Sequence, residues 1–297
     1  MSIQQKQLSP KILASAATGI LDTLNDYGSD IDSILDLSGV NSRKIIDPEH
    51  ELELSSFCNL FEASAKITNN HYFGLTFGSN FKPVKLGAIG YLSVNSPTLS
   101  AALRTLINYF PAHQDNCILS LSKQADIYQL SYEITDQRIV NRRQDAELSI
   151  AIFCNLFRQC LGDKWAPLEI HFEHQRIDHN TVLYERVFGC PTLFNQNTNA
   201  ILFRERDLDS IMPNSDPFLF AVLEPYLLQR KENKSYPEDL IIEIKHFLKL
   251  NFNNTVPSLD NTANYLNISS IELQNKLKKQ GACFNNIIKA ARQELAI

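Results

Sequence analysis

The sequence predicts an α+β domain, N-terminal helices followed by two β-α-β-β units, and after it a small all-α segment. Three observations predict this. The first eighty residues carry apolar side chains at helical spacing. From Leu86 the period becomes mixed, and the same order of strand and helix patterns occurs twice. Residues 229–239, "QRKENKSYPED", are polar, charged and interrupted by Pro237, as a linker is.

The elements follow in order. "PKILASAATGILDTLNDYG" reads as a helix stopped by glycine, and "DIDSILDLSGV" as a short amphipathic helix with the same stop. "LSSFCNLFEASAKITN" is a third helix, with Phe57, Leu60, Phe61 and Ala65 on one face. "LGAIGYLSVNS" reads as a strand. "SPTLSAALRTLINYFPAH" reads as a helix, with Ser96 as N-cap and Pro97 in the first helical position. "CILSLSKQADIYQLSYEIT" alternates on both sides of "KQAD", as a hairpin does. A long helix, "RRQDAELSIAIFCNLFRQCLG", joins this unit to the next. There "PLEIHFEHQ" is a strand, "NTVLYERVFG" a helix and "PTLFNQNTNAILFRERDL" a hairpin around "NQNTN". Two such units side by side leave a cleft suited to a small ligand. After the linker comes an amphipathic helix, "LIIEIKHFLKLNF".

A chain of 297 residues suggests two domains, and 44% apolar content allows a sizeable core. The net charge of −5 argues against a polycation that clings to nucleic acid or anionic membranes. The start lacks a charged region followed by an apolar stretch, and no apolar run reaches bilayer length, so a cytoplasmic protein without membrane partners is expected. The six cysteines form no CxxC pair; Cys58, Cys154 and Cys160 lie in apolar helical patterns as reduced core residues.

Residues 257–281, "PSLDNTANYLNISSIELQNKLKKQG", read as helix, tight turn and helix. Ser258 caps the first helix, which packs through Leu259, Ala263 and Leu266. "NIS" makes the turn and Ser269 caps the second helix. Leu273 and Leu277 face inward, so Ile271, Gln274, Asn275 and Lys278 face outward. The pattern fits both a plain helical hairpin and a unit that lays its second helix in a DNA major groove.

Other chemistries have weaker support. His171, His174 and His179 suggest a metal site, but "LEIHFEH" is a strand pattern that sends His171 and His174 to opposite faces; surface histidines are the simpler reading. Glu205, Asp207 and Asp209 flank a turn beside Arg204 and Arg206, as in a solvated, charge-balanced loop. Cys190 in "FGCP" has no partnered His or Asn motif and reads as packing. Gly87 and Gly90 give room for backbone packing, since no phosphate-loop signature follows. Arg142 and Arg143 open a helix and meet either an anionic ligand or solvent, with solvent the simpler reading. Neither catalytic residues nor a metal or other cofactor is expected.

The run "PSLDNTANYLNISSIELQNKLKKQGACFNNIIKAARQELA" resembles the first helix-turn-helix of AraC-type transcriptional regulators. "DIDSILDLSGVNSRKIIDPEHELELSSF", "FGLTFGSNFKPVKLGAIGYLSVNSPTLSAALRTLINYF" and "YERVFGCPTLFNQNTNAILFRERDLDSIMPNSDP" are similar to the effector domain of the subgroup with an arabinose-binding-like N-terminus. The likeness runs over roughly residues 10–297, and the order of the runs makes it specific. It implies an effector-sensing and dimerisation domain over residues 1–228, a linker over 229–236, and a partial DNA-binding domain over 237–297. In that family the DNA-contacting positions fall on Ser269, Ser270, Ile271, Gln274, Asn275 and Lys278, with Ile271, Gln274 and Asn275 reading bases. Many relatives carry arginine or a polar residue in place of Ile271, and arginine in place of Asn275. Ile271 suits a thymine methyl and Asn275 an adenine. Residues 236–297 hold seven Lys and Arg against six Asp and Glu, a weak charge for a DNA surface.

"FNNIIKAARQELAI" resembles the start of the family's bridging helix, and no second helix-turn-helix follows it in this sequence. The implied function is a ligand-responsive, homodimeric, DNA-binding regulator with an unidentified small-molecule effector. The alternative is a truncated sensor or interaction protein that no longer binds DNA alone and modulates a full-length relative. An enzyme ranks last, for want of an acid, base or nucleophile.

Overall fold

The computed structural model of the chain describes residues 9–177, 182–234, 239–251, 257–266 and 268–295. It divides into two compact units, Met1–Lys234 and Ser235–Ile297.

The larger unit opens with β1 (Lys11–Leu13), a 3-10 turn (Ala14–Ala17), and helices α1 (Ile20–Asp26), α2 (Ile31–Ser38) and α3 (Ser42–Ile46). Then come β2 (Glu51–Glu53), α4 (Leu54–Ile67), α5 (Phe73–Ser79), a 3-10 turn (Pro83–Leu86), α6 (Ala88–Val94) and α7 (Leu99–His113). Local signals account for α2: the Asp30 carboxylate accepts from Ser33 N at 3.1 Å, and Gly39 closes the helix at φ 71°. Helix α4 buries Phe57, Leu60, Phe61 and Ala65, the face its spacing predicts.

Three local expectations fail here. The run 10–28 is not one helix: Lys11–Leu13 pairs antiparallel with Glu51–Glu53, the Lys11 amide donates to Asp115 at 2.9 Å, and Gly19 turns at φ 93° before α1 begins. A distant partner strand decides these residues, not their period. "LGAIGYLSVNS" is helical rather than extended, because a short apolar run does not discriminate the two. Gly90 lets α6 lie against the preceding turn, where a Cβ would stand 2.0 Å from the Pro83 carbonyl oxygen. The cap of α7 is Thr98, whose hydroxyl accepts from Ala101 N at 3.2 Å; the Ser96 hydroxyl donates to Leu92 instead.

The remaining elements are β3 (Cys117–Gln124), β4 (Ile127–Ile134), α8 (Arg143–Leu161), β5 (Glu169–His171), α9 (Val182–Phe188), β6 (Thr192–Leu193), β7 (Asn199–Arg204), a 3-10 turn (Glu205–Asp209) and α10 (Pro217–Lys234). The β3–β4 hairpin forms as its alternation predicts, Gln124 opposite Ile127, turning through Ala125 at φ 55°. The second hairpin does not form. The strands make one sheet ordered β3-β4-β7-β5-β6, with β7 antiparallel to both β4 and β5, and β6 parallel to β5. The α+β class stands, but one five-stranded sheet replaces two separately paired units. Residues 229–234, expected in the linker, are the last turns of α10. Arg230 and Lys234 tie them to the main body, Arg230 to Glu49 at 3.3 Å and Lys234 to Asp115 at 3.2 Å.

Helix α8 runs through the core. Ile150, Ala151, Phe153, Cys154 and Phe157 are buried, and Gly74 and Gly78 let α5 pack against it at backbone distance. The smaller unit holds α11 (Asp239–Asn251), α12 (Leu259–Tyr265), α13 (Ser270–Lys279) and α14 (Phe284–Leu295) around Ile244, Leu248, Ala263, Leu273, Leu277 and Ile287. Among the described residues no helix is long and apolar enough to cross a membrane.

Candidate functional site

The first turns of α8 are polar and buried, an uncommon use of a core helix. Gln144 and Glu147 are 0% exposed and Asp145 2%. Buried polar groups need partners, and most are present. The Gln144 side chain donates to His71 O at 2.8 Å and accepts from Gly74 N at 2.6 Å. Its backbone N–H donates to Glu62 of α4 at 3.1 Å, so a carboxylate from another helix caps α8. Asp145 accepts from the Tyr132 hydroxyl at 2.9 Å.

Glu147 is the exception. Arg143 at 2.9 Å, the Tyr184 hydroxyl at 2.7 Å and His174 Nε2 at 3.4 Å all meet its Oε1. Among the described residues its buried Oε2 has no hydrogen-bond partner. Burial pushes its carboxyl up to about 7, against the pull of Arg143 and Tyr184, and burial likewise raises Asp145 to about 7. Burial lowers His174 to about 4.

Over this turn opens a cleft of about 410 Å³. Its walls come from four places: Glu62 on α4, Asn141 and Arg142 before α8, Arg143 on α8, and Glu173, His174 and Asn199 where β5 ends and β7 begins. Arg142 donates to Ile134 O and stands 3.8 Å from Glu173, an ion contact too long for a hydrogen bond. Asn199 accepts from Glu173 N at 3.1 Å, which fixes the far wall. A second hollow, between α1 and α5, holds about 110 Å³.

The buried acid makes stability depend on pH with a defined sign. The folded pKa of Glu147, about 7, exceeds the ordinary 4.5, so the folded state holds the proton more tightly between those values. Stability therefore falls as pH rises through that window, by on the order of 3 kcal/mol at full ionisation. Glu147→Gln removes this loss. Its melting temperature is expected to gain steadily on that of the unsubstituted chain from pH 5 to pH 8. His113 and His174, which titrate in the opposite sense, are common to both chains. A constant difference across that range would show that Glu147 is ionised throughout.

The smaller unit places the predicted surface residues together. Ser258 accepts from Asn261 N and Ser269 from Glu272 N, both at 3.1 Å, so both expected caps are present. Leu273 and Leu277 are buried, while Ser269, Ile271, Gln274, Asn275 and Lys278 are exposed. Ser270 is partly buried, its hydroxyl bonded to Asp260. Asn267, in the expected turn, lies outside the described residues.

The other candidates do not converge on a site. His171 pairs with Glu169 at 2.9 Å. His174 lies beyond the end of β5, so the two rings do not alternate across a strand, and His174 packs on Phe172 instead of standing in solvent. His179 falls outside the described residues. Among the described residues no group of three or more His, Cys, Asp or Glu could hold a metal. Glu205 pairs with Lys123, and Asp207 accepts from the Trp165 indole at 3.2 Å. Cys190 is buried, its thiol pushed up to about 12 by burial. Arg142 and Arg143, read as meeting either an anionic ligand or, more simply, solvent, line the cleft. The available signal was polar Gln144, Asp145 and Glu147 at the head of an apolar helix.

Residues 28–212 match the model of the arabinose-binding domain of AraC transcription regulators, N-terminal. The fold is similar to the crystal structure of the transcriptional regulator CdpR from Pseudomonas aeruginosa, with a TM-score of 0.52 at 15% identity, over 93% of this chain and 84% of that one. No curated relative matches.

Proposed function

The chain belongs to the AraC transcription regulators with an arabinose-binding N-terminal domain, and from that premise we propose that it binds DNA in response to a small molecule. One observation supports the reading most. In the smaller unit, α13 is held from behind by buried Leu273 and Leu277 and presents Ile271, Gln274, Asn275 and Lys278 on one exposed face. That is the arrangement a helix needs to enter a major groove. Ser269, Ser270 and Lys278 are assigned to the phosphates, and Ile271, Gln274 and Asn275 to base edges. Ligand in the larger unit acts by population shift, favouring the conformation that presents α13 to DNA. The protein works in the cytoplasm as a homodimer; Phe218, at 80% exposure, and Val222, at 59%, lie one turn apart on α10 and supply an apolar stripe for a second copy.

Residues 236–297 carry a net charge of only +1, which favours a second reading: a sensor that pairs with another regulator without holding DNA itself. A titration of promoter and scrambled duplexes at two salt concentrations separates the two. The regulator reading expects weak binding with a shallow salt slope and a preference for the promoter. Gln274→Ala and Asn275→Ala each cost about 1–3 kcal/mol of that preference. Phe218→Glu should lower the apparent affinity for a duplex with two sites by removing avidity. Equal, feeble binding to every duplex, unchanged by these substitutions, would favour the sensor.

A further inference from the structure

We propose that the cleft over the head of α8 is the effector site of this regulator, and that its ligand is a small zwitterion of the α-amino-acid class. The inference rests on the ligand-responsive reading and adds the place and the chemistry.

The cleft carries charges of both signs side by side, with Arg142 3.8 Å from Glu173. Arg142 and Arg143 supply guanidinium groups, which suit a planar carboxylate. Glu62 and Glu173 supply carboxylates, which suit an ammonium. The formal charges of these four cancel, so a ligand with one charge of each sign finds a partner for each, whereas a dianion or a dication leaves two like charges opposed to it. Asn141 and Asn199 add neutral donors and acceptors. His174 is the one aromatic ring among the described lining residues, and it is already stacked on Phe172, so the walls offer little face for stacking a sugar or a ring. About 410 Å³ lies at the small end of the range for ligand sites.

The site is also built from behind. Glu62 already holds the Gln144 N–H, so the ligand carboxylate falls to the guanidinium groups and leaves the helix cap intact. Arg143 reaches from the cleft wall to Glu147, which is fully buried and keeps one oxygen without a hydrogen-bond partner among the described residues. A carboxylate that draws Arg143 toward the cleft loosens its hold on Glu147 and disturbs the first turns of the helix through the core. Occupancy is thereby felt inside the larger unit.

The test uses the full chain and measures thermal unfolding against the twenty common L-amino acids and ornithine. Succinate, putrescine and L-arabinose represent a dianion, a dication and a neutral sugar. At least one amino acid is expected to raise the melting temperature in a saturable way, since it binds the native state alone. Arg142→Gln and Glu173→Gln should each weaken that ligand roughly tenfold to a hundredfold, the range for a hydrogen bond to a charged group. The carboxamide form of the same amino acid should bind the unsubstituted chain and Arg142→Gln equally, which a merely misfolded variant does not do. The proposal is overturned if no amino acid stabilises the chain, if either variant binds it undiminished, or if a control ligand binds in its place with the same sensitivity. Promoter binding, measured separately, distinguishes the two levels. A sugar that occupies the cleft and alters DNA affinity would sink the zwitterion and leave the regulator. An amino acid that binds without altering DNA affinity would do the reverse.

Discussion

Replacing Gly74 with alanine is expected to cost the larger unit most of its stability margin. An added Cβ would stand 2.2 Å from the Gln144 carbonyl oxygen and 2.9 Å from its carbon, both backbone atoms of α8. Backbone cannot rotate out of the way as a side chain can, so α5 and α8 must separate. Overpacking of this kind costs about 1–3 kcal/mol. The separation also stretches the 2.6 Å bond from Gly74 N to the buried Gln144 side chain, and an orphaned buried group adds about 1–3 kcal/mol. Together these approach the lower end of a domain's total stability, about 5–15 kcal/mol. For a unit of this size the melting temperature should fall by roughly 10 °C or more. Gly28→Ala is the control: no atom of the described residues lies within 4 Å of its added Cβ, and only the strain of φ 62° is incurred. A melt of Gly74→Ala within a degree or two of the unsubstituted chain would mean that the helices are not packed at this distance.

The second large effect belongs to the smaller unit. Leu273 is 0% exposed at the centre of a core made chiefly of Ile244, Leu248, Ala263, Leu277 and Ile287. Leu273→Ala removes the transfer energy of the lost methyl and methylene groups and leaves a cavity, a cost of about 2–5 kcal/mol. Units of about sixty residues have little stability to spare. Leu273→Ala is therefore expected to unfold residues 235–297 while the larger unit melts as before, with loss of whatever DNA affinity the chain has. Hydrogen exchange reports it directly: amides of α12 and α13 lose protection, and those of α8 keep it. Ile271→Ala, at a site 73% exposed on the same helix, should leave protection unchanged. Retained protection in α13 after Leu273→Ala would contradict the packing described for this unit.

Local chemistry made much of the chain legible from sequence. Asp30 and Gly39 bracket α2, and Ser258 and Ser269 cap α12 and α13, because a cap is a bond between near neighbours. The β3–β4 hairpin follows from alternation on either side of a two-residue turn. The burial of Leu273 and Leu277 against the exposure of Gln274 and Asn275 follows from helical period alone.

Pairings between distant residues were not legible. Whether residues 11–13 are helix or strand depends on Glu51–Glu53, and the place of β7 between β4 and β5 depends on strands on both of its sides. No local signal encodes either. The cleft is the clearest case. Glu62, Arg142, Glu173 and Asn199 come from four separate stretches, and each alone reads as an ordinary surface residue. Sequence by itself determined the caps of α12 and α13, the alternation of the β3–β4 hairpin and the exposed face of α13, since those depend on bonds and spacings within a few residues. Only the tertiary structure decided the sheet order and the charges that face one another across the head of α8, since burial and long-range pairing set the environment of every group there.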